Sequence, residues 1–88
     1  MHRTKTPQGT VRLRAEQFRR HAELSGLTTD GARAEHLGVS RWTVMRLLNG
    51  DIEPGTKFIA QTLLAFPERR FEDFFEIVEV REAKDSAA

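Results

Sequence analysis

Arg41, Trp42, Met45, Arg46 and Asn49 fall on one side of a helix predicted over residues 40–48, taken at about 100° per residue. Either guanidinium on that side can donate a pair of hydrogen bonds to guanine O6 and N7, which discriminates that base by about 1–3 kcal/mol. Trp42 and Met45 have little to hydrogen-bond with; they suit thymine methyls or sugar carbons. Such a face is odd for a merely solvated helix and makes sense if it enters a groove of nucleic acid. Trp42 has a second reading, a ring partly buried against one of the two preceding helices.

The opposite side of the same segment carries Ser40, Thr43, Val44, Leu47 and Leu48, the apolar members recurring at helical spacing and facing inward. What holds this helix is legible upstream, in TDGARAEHLGVSRWTVMRLLNG, residues 29–50. Ala34 is small enough for two helices to cross there. Gly38 can adopt the left-handed backbone that ends a helix without a Cβ clash. Ser40 is a good N-cap for the helix that follows. A small residue, a glycine corner, a polar cap and an apolar i, i+3, i+4 stripe form the pattern of a helix-turn-helix.

With Leu27-Thr28 ahead of it and Leu37-Gly38-Val39-Ser40 and Leu47-Leu48-Asn49-Gly50 within it, this stretch resembles the bacterial and phage regulators related to the lambdoid repressors and Cro, the XRE type. The resemblance runs over residues 11–66. It departs from the family at Arg33, where an apolar residue is usual, and at Gly31, which costs about 1 kcal/mol of helix propensity relative to Ala. It implies an all-α, five-helix lambda-repressor-like domain with the motif on its second and third helices. It also implies base contacts from Arg41, Trp42, Met45 and Arg46.

Phosphate contacts are expected from the groups flanking that helix: Thr29 and the free amides after it, Ser40, Thr43, Asn49, and Lys57 at the start of a fourth helix. Thr29 and Ser40 also read as plain helix caps, and Thr43 as a helix-packing residue. Asp30, Asp51 and Glu53 are acids unfavourably close to this surface.

The net charge of +1 would by itself argue against a polyanionic partner. Its distribution argues the other way. Arg3, Arg12, Arg14, Arg19, Arg20, Arg33, Arg41, Arg46 and Lys5 precede Gly50, whereas Asp51, Glu53, Glu68, Glu72, Asp73, Glu76, Glu79, Glu82 and Asp85 outnumber the five bases after it. The chain has 88 residues and no cysteine, so one modest core is expected, with neither disulfides nor thiolate metal sites. His2, His21 and His36 lack ligand spacing and read as surface residues; no metal or cofactor is expected. No segment is apolar enough to cross a membrane or direct secretion, and a cytoplasmic setting is expected.

Along the chain, residues 1–10 read as a flexible basic arm, with Arg3 and Lys5 weakly drawn to nucleic acid. Thr10 would cap a first helix over 11–25, with Val11, Ala15, Phe18 and Ala22 on one face and Leu24 and Leu27 closing the core. A second helix spans 29–37. Gly50–Gly55 is a loop, and Phe58, Ile59, Thr62, Leu63 and Phe66 stripe a helix over 56–65. Phe71, Phe74, Phe75 and Val78 predict a fifth helix over 69–78; the rival is a shorter helix followed by a strand through 75–80, where β-branched residues gather. Residues 81–88 read as a disordered tail.

The aromatic C-terminal segment offers more apolar surface than one short helix needs. Leu64, Phe71, Phe74, Phe75 and Ile77 are therefore candidate contacts of a two-fold homodimer. Such a dimer would set two reading helices about 34–36 Å apart on a palindromic operator in double-stranded DNA. The expected function is a sequence-specific transcriptional regulator, in the first place a repressor. The alternatives are an antitoxin or adaptor that uses the aromatic face on a protein partner, and an excision or recombination accessory factor. No acid–base pair, nucleophile constellation or phosphate-cradling loop suggests an enzyme.

Overall fold

The computed structural model describes residues 8–80: strand β1 (Gln8–Leu13), helices α1 (Ala15–Leu24), α2 (Asp30–Leu37), α3 (Arg41–Asn49), α4 (Thr56–Ala65) and α5 (Phe71–Phe74), then strand β2 (Phe75–Val80). The expected arm over 1–7 and tail over 81–88 lie outside the described residues. Most of the described chain is helical, but the all-helical expectation is corrected at the N-terminal end and the strand alternative holds at the C-terminal end, the two strands pairing antiparallel from Gln8 opposite Val80 to Leu13 opposite Phe75.

That pairing overturns two boundaries. Residues 11–14 do not begin the first helix, and Gln8–Thr10 are strand rather than arm. The 75–80 segment takes the shorter-helix-then-strand reading. In both cases the deciding partner is more than sixty residues away, beyond the reach of local periodicity (Arg12 Nε donates to Glu76 Oε2 at 3.0 Å across a separation of 64). Thr10 consequently caps nothing; α1 starts after Arg14, whose backbone N–H donates to the Phe74 carbonyl at 2.7 Å. The Arg12–Glu76 ion pair is solvent-exposed and contributes little. Leu13 and Phe75, paired on the opposite face and 6% and 1% exposed, anchor the sheet to the helices.

The core is aromatic. The Phe18 ring centroid lies 5.9 Å from Phe74, 6.4 Å from Phe58 and 6.5 Å from Phe66, and Leu37, Val44 and Leu47 complete the cluster. The stripe read on α4 packs as expected, and the buried Thr62 hydroxyl donates to the Phe58 carbonyl at 2.8 Å. Leu24 does not help close the core; it is 72% exposed, because α1 ends there and the chain turns away through Ser25 and Gly26.

Arg33, the departure from the resembled pattern, is buried without being unsatisfied. Its Nε donates to the Leu27 carbonyl at 3.0 Å, one terminal nitrogen meets Asp30 Oδ1 at 3.2 Å, and the other lies 3.7 Å from Glu23 Oε2. The charged network fills the volume an apolar residue would occupy, and it gives Asp30 a structural partner. Arg33→Ala should destabilise the domain by about 2–4 kcal/mol, through the lost volume and the Leu27 carbonyl left without its donor. Arg33→Met, which keeps the volume, should cost less. Urea unfolding midpoints of the two variants check this.

His21 on α1 packs edge-on against Phe74, centroids 5.2 Å apart, and its Nδ1 is buried with no hydrogen-bond partner among the described residues. Burial pushes its pKa below the ordinary 6.5; Arg69 lowers it further, Asp73 opposes, and Arg20 adds to the lowering. The folded state therefore prefers the neutral ring. As the pH falls below 6.5, the unfolded chain binds a proton that the folded chain resists, so stability drops until the lowered folded-state pKa is passed. His21→Leu should flatten that part of the stability–pH curve, as read from urea titrations between neutral and mildly acidic pH.

Candidate nucleic-acid interface

Thr29 caps α2 in extended conformation, its hydroxyl accepting from the Ala32 N–H at 3.1 Å. Eight helical residues later the chain turns at Gly38, φ 73°, and the Val39 N–H donates back to the Ala34 carbonyl at 3.0 Å. A side chain there would be strained by the backbone and would also put Cβ 3.1 Å from Gln61 Nε2, which donates to the Leu37 carbonyl at 3.0 Å. Ser40 then caps α3: its Oγ accepts from the Thr43 N–H at 3.0 Å and lies 2.8 Å from Thr43 Oγ1. Gly50, φ 80°, ends the helix.

Between those caps α3 is seated by Val44, Leu47 and Leu48, at most 8% exposed, and by Ala34 of α2, 4% exposed. The remaining side chains look outward as the helical angle predicts. Arg41 and Asn49 are exposed, Trp42 and Met45 are 60% and 40% exposed, and Arg46 is half-buried. Trp42, at 60%, is exposed, not the partly buried ring of the second reading. Its ring instead carries the Arg46 guanidinium, whose Cζ is 4.7 Å from the ring centroid. This pairing was not anticipated from the sequence, although the i, i+4 spacing that permits it was there to be read.

Arg41 has a second neighbour at the seam of the two helices. A Cβ placed on Gly31 would stand 3.8 Å from Arg41 Cδ, so the arginine stem runs over the first turn of α2. The glycine that weakens α2 leaves that path open. Thr29 and Ser40 are engaged as caps, and the Thr43 hydroxyl is engaged with Ser40, which makes it part of the helix start and half-buried. Lys57 is exposed in the first turn of α4, whose N-cap, Gly55, supplies no side-chain acceptor to the leading amides. Asp51 and Glu53 are exposed in the adjoining loop.

The residues assigned to a dimer contact do not stay together. Phe74 and Phe75, 0% and 1% exposed, are core residues with no surface to offer, and that assignment is corrected. The helix-to-strand change falls between them, and both rings enter the aromatic cluster, their centroids 6.3 Å apart. Phe71 is half-buried against the core. Leu64 and Ile77, 77% and 68% exposed, remain as apolar surface.

A groove of about 450 Å³ lies between the end of α3 and the sheet, lined by Leu47, Leu48, Ile52, Pro54, Val78 and strand β1, with Asn49 and Glu53 at its polar side. Among the described residues no group of histidines and carboxylates is placed to hold a metal ion, and no helix is long and apolar enough to cross a membrane. No family model, no curated protein and no solved structure matches the chain.

Proposed function

We propose that this protein is a sequence-specific double-stranded-DNA-binding transcriptional regulator with a lambda-repressor-like domain of the XRE/Cro type, and that it represses by occupying its operator. In this reading α3 enters the major groove. Arg41, Trp42, Met45 and Arg46 meet base edges, and Thr29, Ser40, Thr43, Asn49 and Lys57 meet phosphates. The observation that carries it is the outer face of α3. A short helix anchored by three buried aliphatic side chains presents arginine, tryptophan and methionine to solvent, a costly surface to leave uncovered unless a partner covers it.

The aromatic adaptor reading is weakened, since Phe74 and Phe75 are committed to the core. Leu64 and Ile77 are the contacts left for a homodimer.

Selection of bound duplexes from a random pool, followed by affinity measurements across a salt series, tests the proposal. A regulator of this kind enriches one motif, and log Kd against log salt has a slope of about 0.9 per neutralised phosphate. A two-fold symmetric motif would add the dimer. No enriched motif together with a flat salt response would overturn the reading.

A further inference from the structure

The arginines near the reading face are held in different ways, and the difference bears on specificity. Arg12 is bound to Glu76, Arg14 donates to the Glu72 carbonyl, and Arg33 is enclosed by Leu27, Asp30 and Glu23. Each spends its donors on oxygen. Arg46 is held by the face of an indole, and none of the ion pairs among the described residues involves it. A guanidinium carries its five N–H donors in its own plane. With its Cζ 4.7 Å from the indole centroid the group is placed beside the ring and half-buried, while its N–H donors meet no oxygen partner among the described residues. An arginine restrained by a carboxylate would have to break that pair before meeting a base; this one does not.

The ring that orients Arg46 also constrains what lies beside the base it reads. Trp42 and Met45 expose mostly apolar surface on the same face of α3, at 60% and 40% exposure, with only one indole N–H donor and one weak thioether acceptor between them. Pressed against base-edge oxygens and nitrogens, they would strip water from polar groups and return little. The one apolar group a base pair shows in the major groove is the thymine C5-methyl. We infer, resting on the DNA-binding reading above, that Trp42 is a positioning residue for Arg46 and that the pair reads a composite step: guanine by the Arg46 donors, and an adjacent thymine by its methyl against the indole and the Met45 side chain.

The inference is tested on duplexes recovered from a random pool with the wild-type protein, with Kd measured by fluorescence anisotropy. The motif should contain a guanine with a thymine next to it. Exchanging that thymine for uracil, which deletes only the methyl, should weaken binding by about fourfold, the worth of one buried methylene-sized group. In Trp42→Ala the uracil exchange should cost clearly less than in the wild type, Met45 alone remaining on the methyl, and the preference for guanine should fall about two- to fivefold as the guanidinium loses its platform. Trp42→Phe keeps a ring under Arg46 and should restore most of the guanine preference, a rescue that a loss of fold would not permit. Trp42 is exposed, so both variants should keep the wild-type helical circular dichroism. An enriched motif without the adjacent thymine, a uracil exchange without effect, or an equal uracil penalty in Trp42→Ala overturns the composite step while leaving DNA binding intact. A pool with no enriched motif overturns the DNA reading, and this inference with it.

Discussion

Phe74→Ala is expected to remove most of the stability of the domain. The ring is 0% exposed and sits within 5.1 Å of the Phe66 centroid, 5.9 Å of Phe18, 5.2 Å of His21 and 6.3 Å of Phe75. Truncating a buried phenylalanine costs about 3–5 kcal/mol, since the transfer energy of the ring is lost and its neighbours cannot close the void. A domain of this size has about 5–10 kcal/mol in total. The position concentrates the effect, because Phe74 is where α5 ends, β2 begins, and the Phe74 carbonyl receives the Arg14 N–H that starts α1. Loosening it releases the sheet as well as the cluster. In urea unfolding the midpoint should fall sharply, whereas Ile77→Ala, three residues along and 68% exposed, should stay within about 0.5 kcal/mol of wild type. Near-equal effects of the two changes would contradict the burial described above.

The contrast between Phe74 and Ile77 also shows where the sequence was legible and where it was not. The α2–α3 corner was readable nearly to the residue. Ala34, Gly38, Ser40, Val44, Leu47 and Leu48 each owe their place to a local cause: a crossing, a positive φ, a cap, or a 3.6-residue period. The outward set on α3 follows from that same period. The chain ends were not readable in this way. Val11 and Ala15 are spaced as a helix would space them, and so are Phe71, Phe74 and Phe75. What makes residues 8–13 and 75–80 strands is their pairing with each other, and no window of ten residues contains both.

Arg33 illustrates a third case. Residue type alone marked it as a break in the apolar pattern. Only the fold reveals that the Leu27 carbonyl, Asp30 and Glu23 converge on it, which also accounts for an acid at the start of α2. The arginine in the core and the aspartate at the start of α2 were one feature seen twice. Similarly, Trp42 and Arg46 were read singly, as a ring and a cation. Their joint value depends on a rotamer choice that spacing permits and does not dictate.

Arg46→Ala carries the largest expected effect on binding. Its donors have no oxygen partner among the described residues and what holds it there is the Trp42 ring, so the variant should keep the wild-type unfolding midpoint to within about 1 kcal/mol. Under the proposed function it should lose about 1–3 kcal/mol of affinity for the selected duplex, roughly 5- to 150-fold, and relax the preference at one guanine. Lys57→Ala offers the comparison that separates base reading from phosphate attraction. At the first turn of α4 it should weaken all duplexes alike and reduce the salt slope by about one unit, whereas Arg46→Ala should leave the slope unchanged and alter the motif. If the two variants instead behaved identically, with a shallower slope and the same motif, Arg46 would be a phosphate contact, and α3 would lie along the backbone instead of entering the groove.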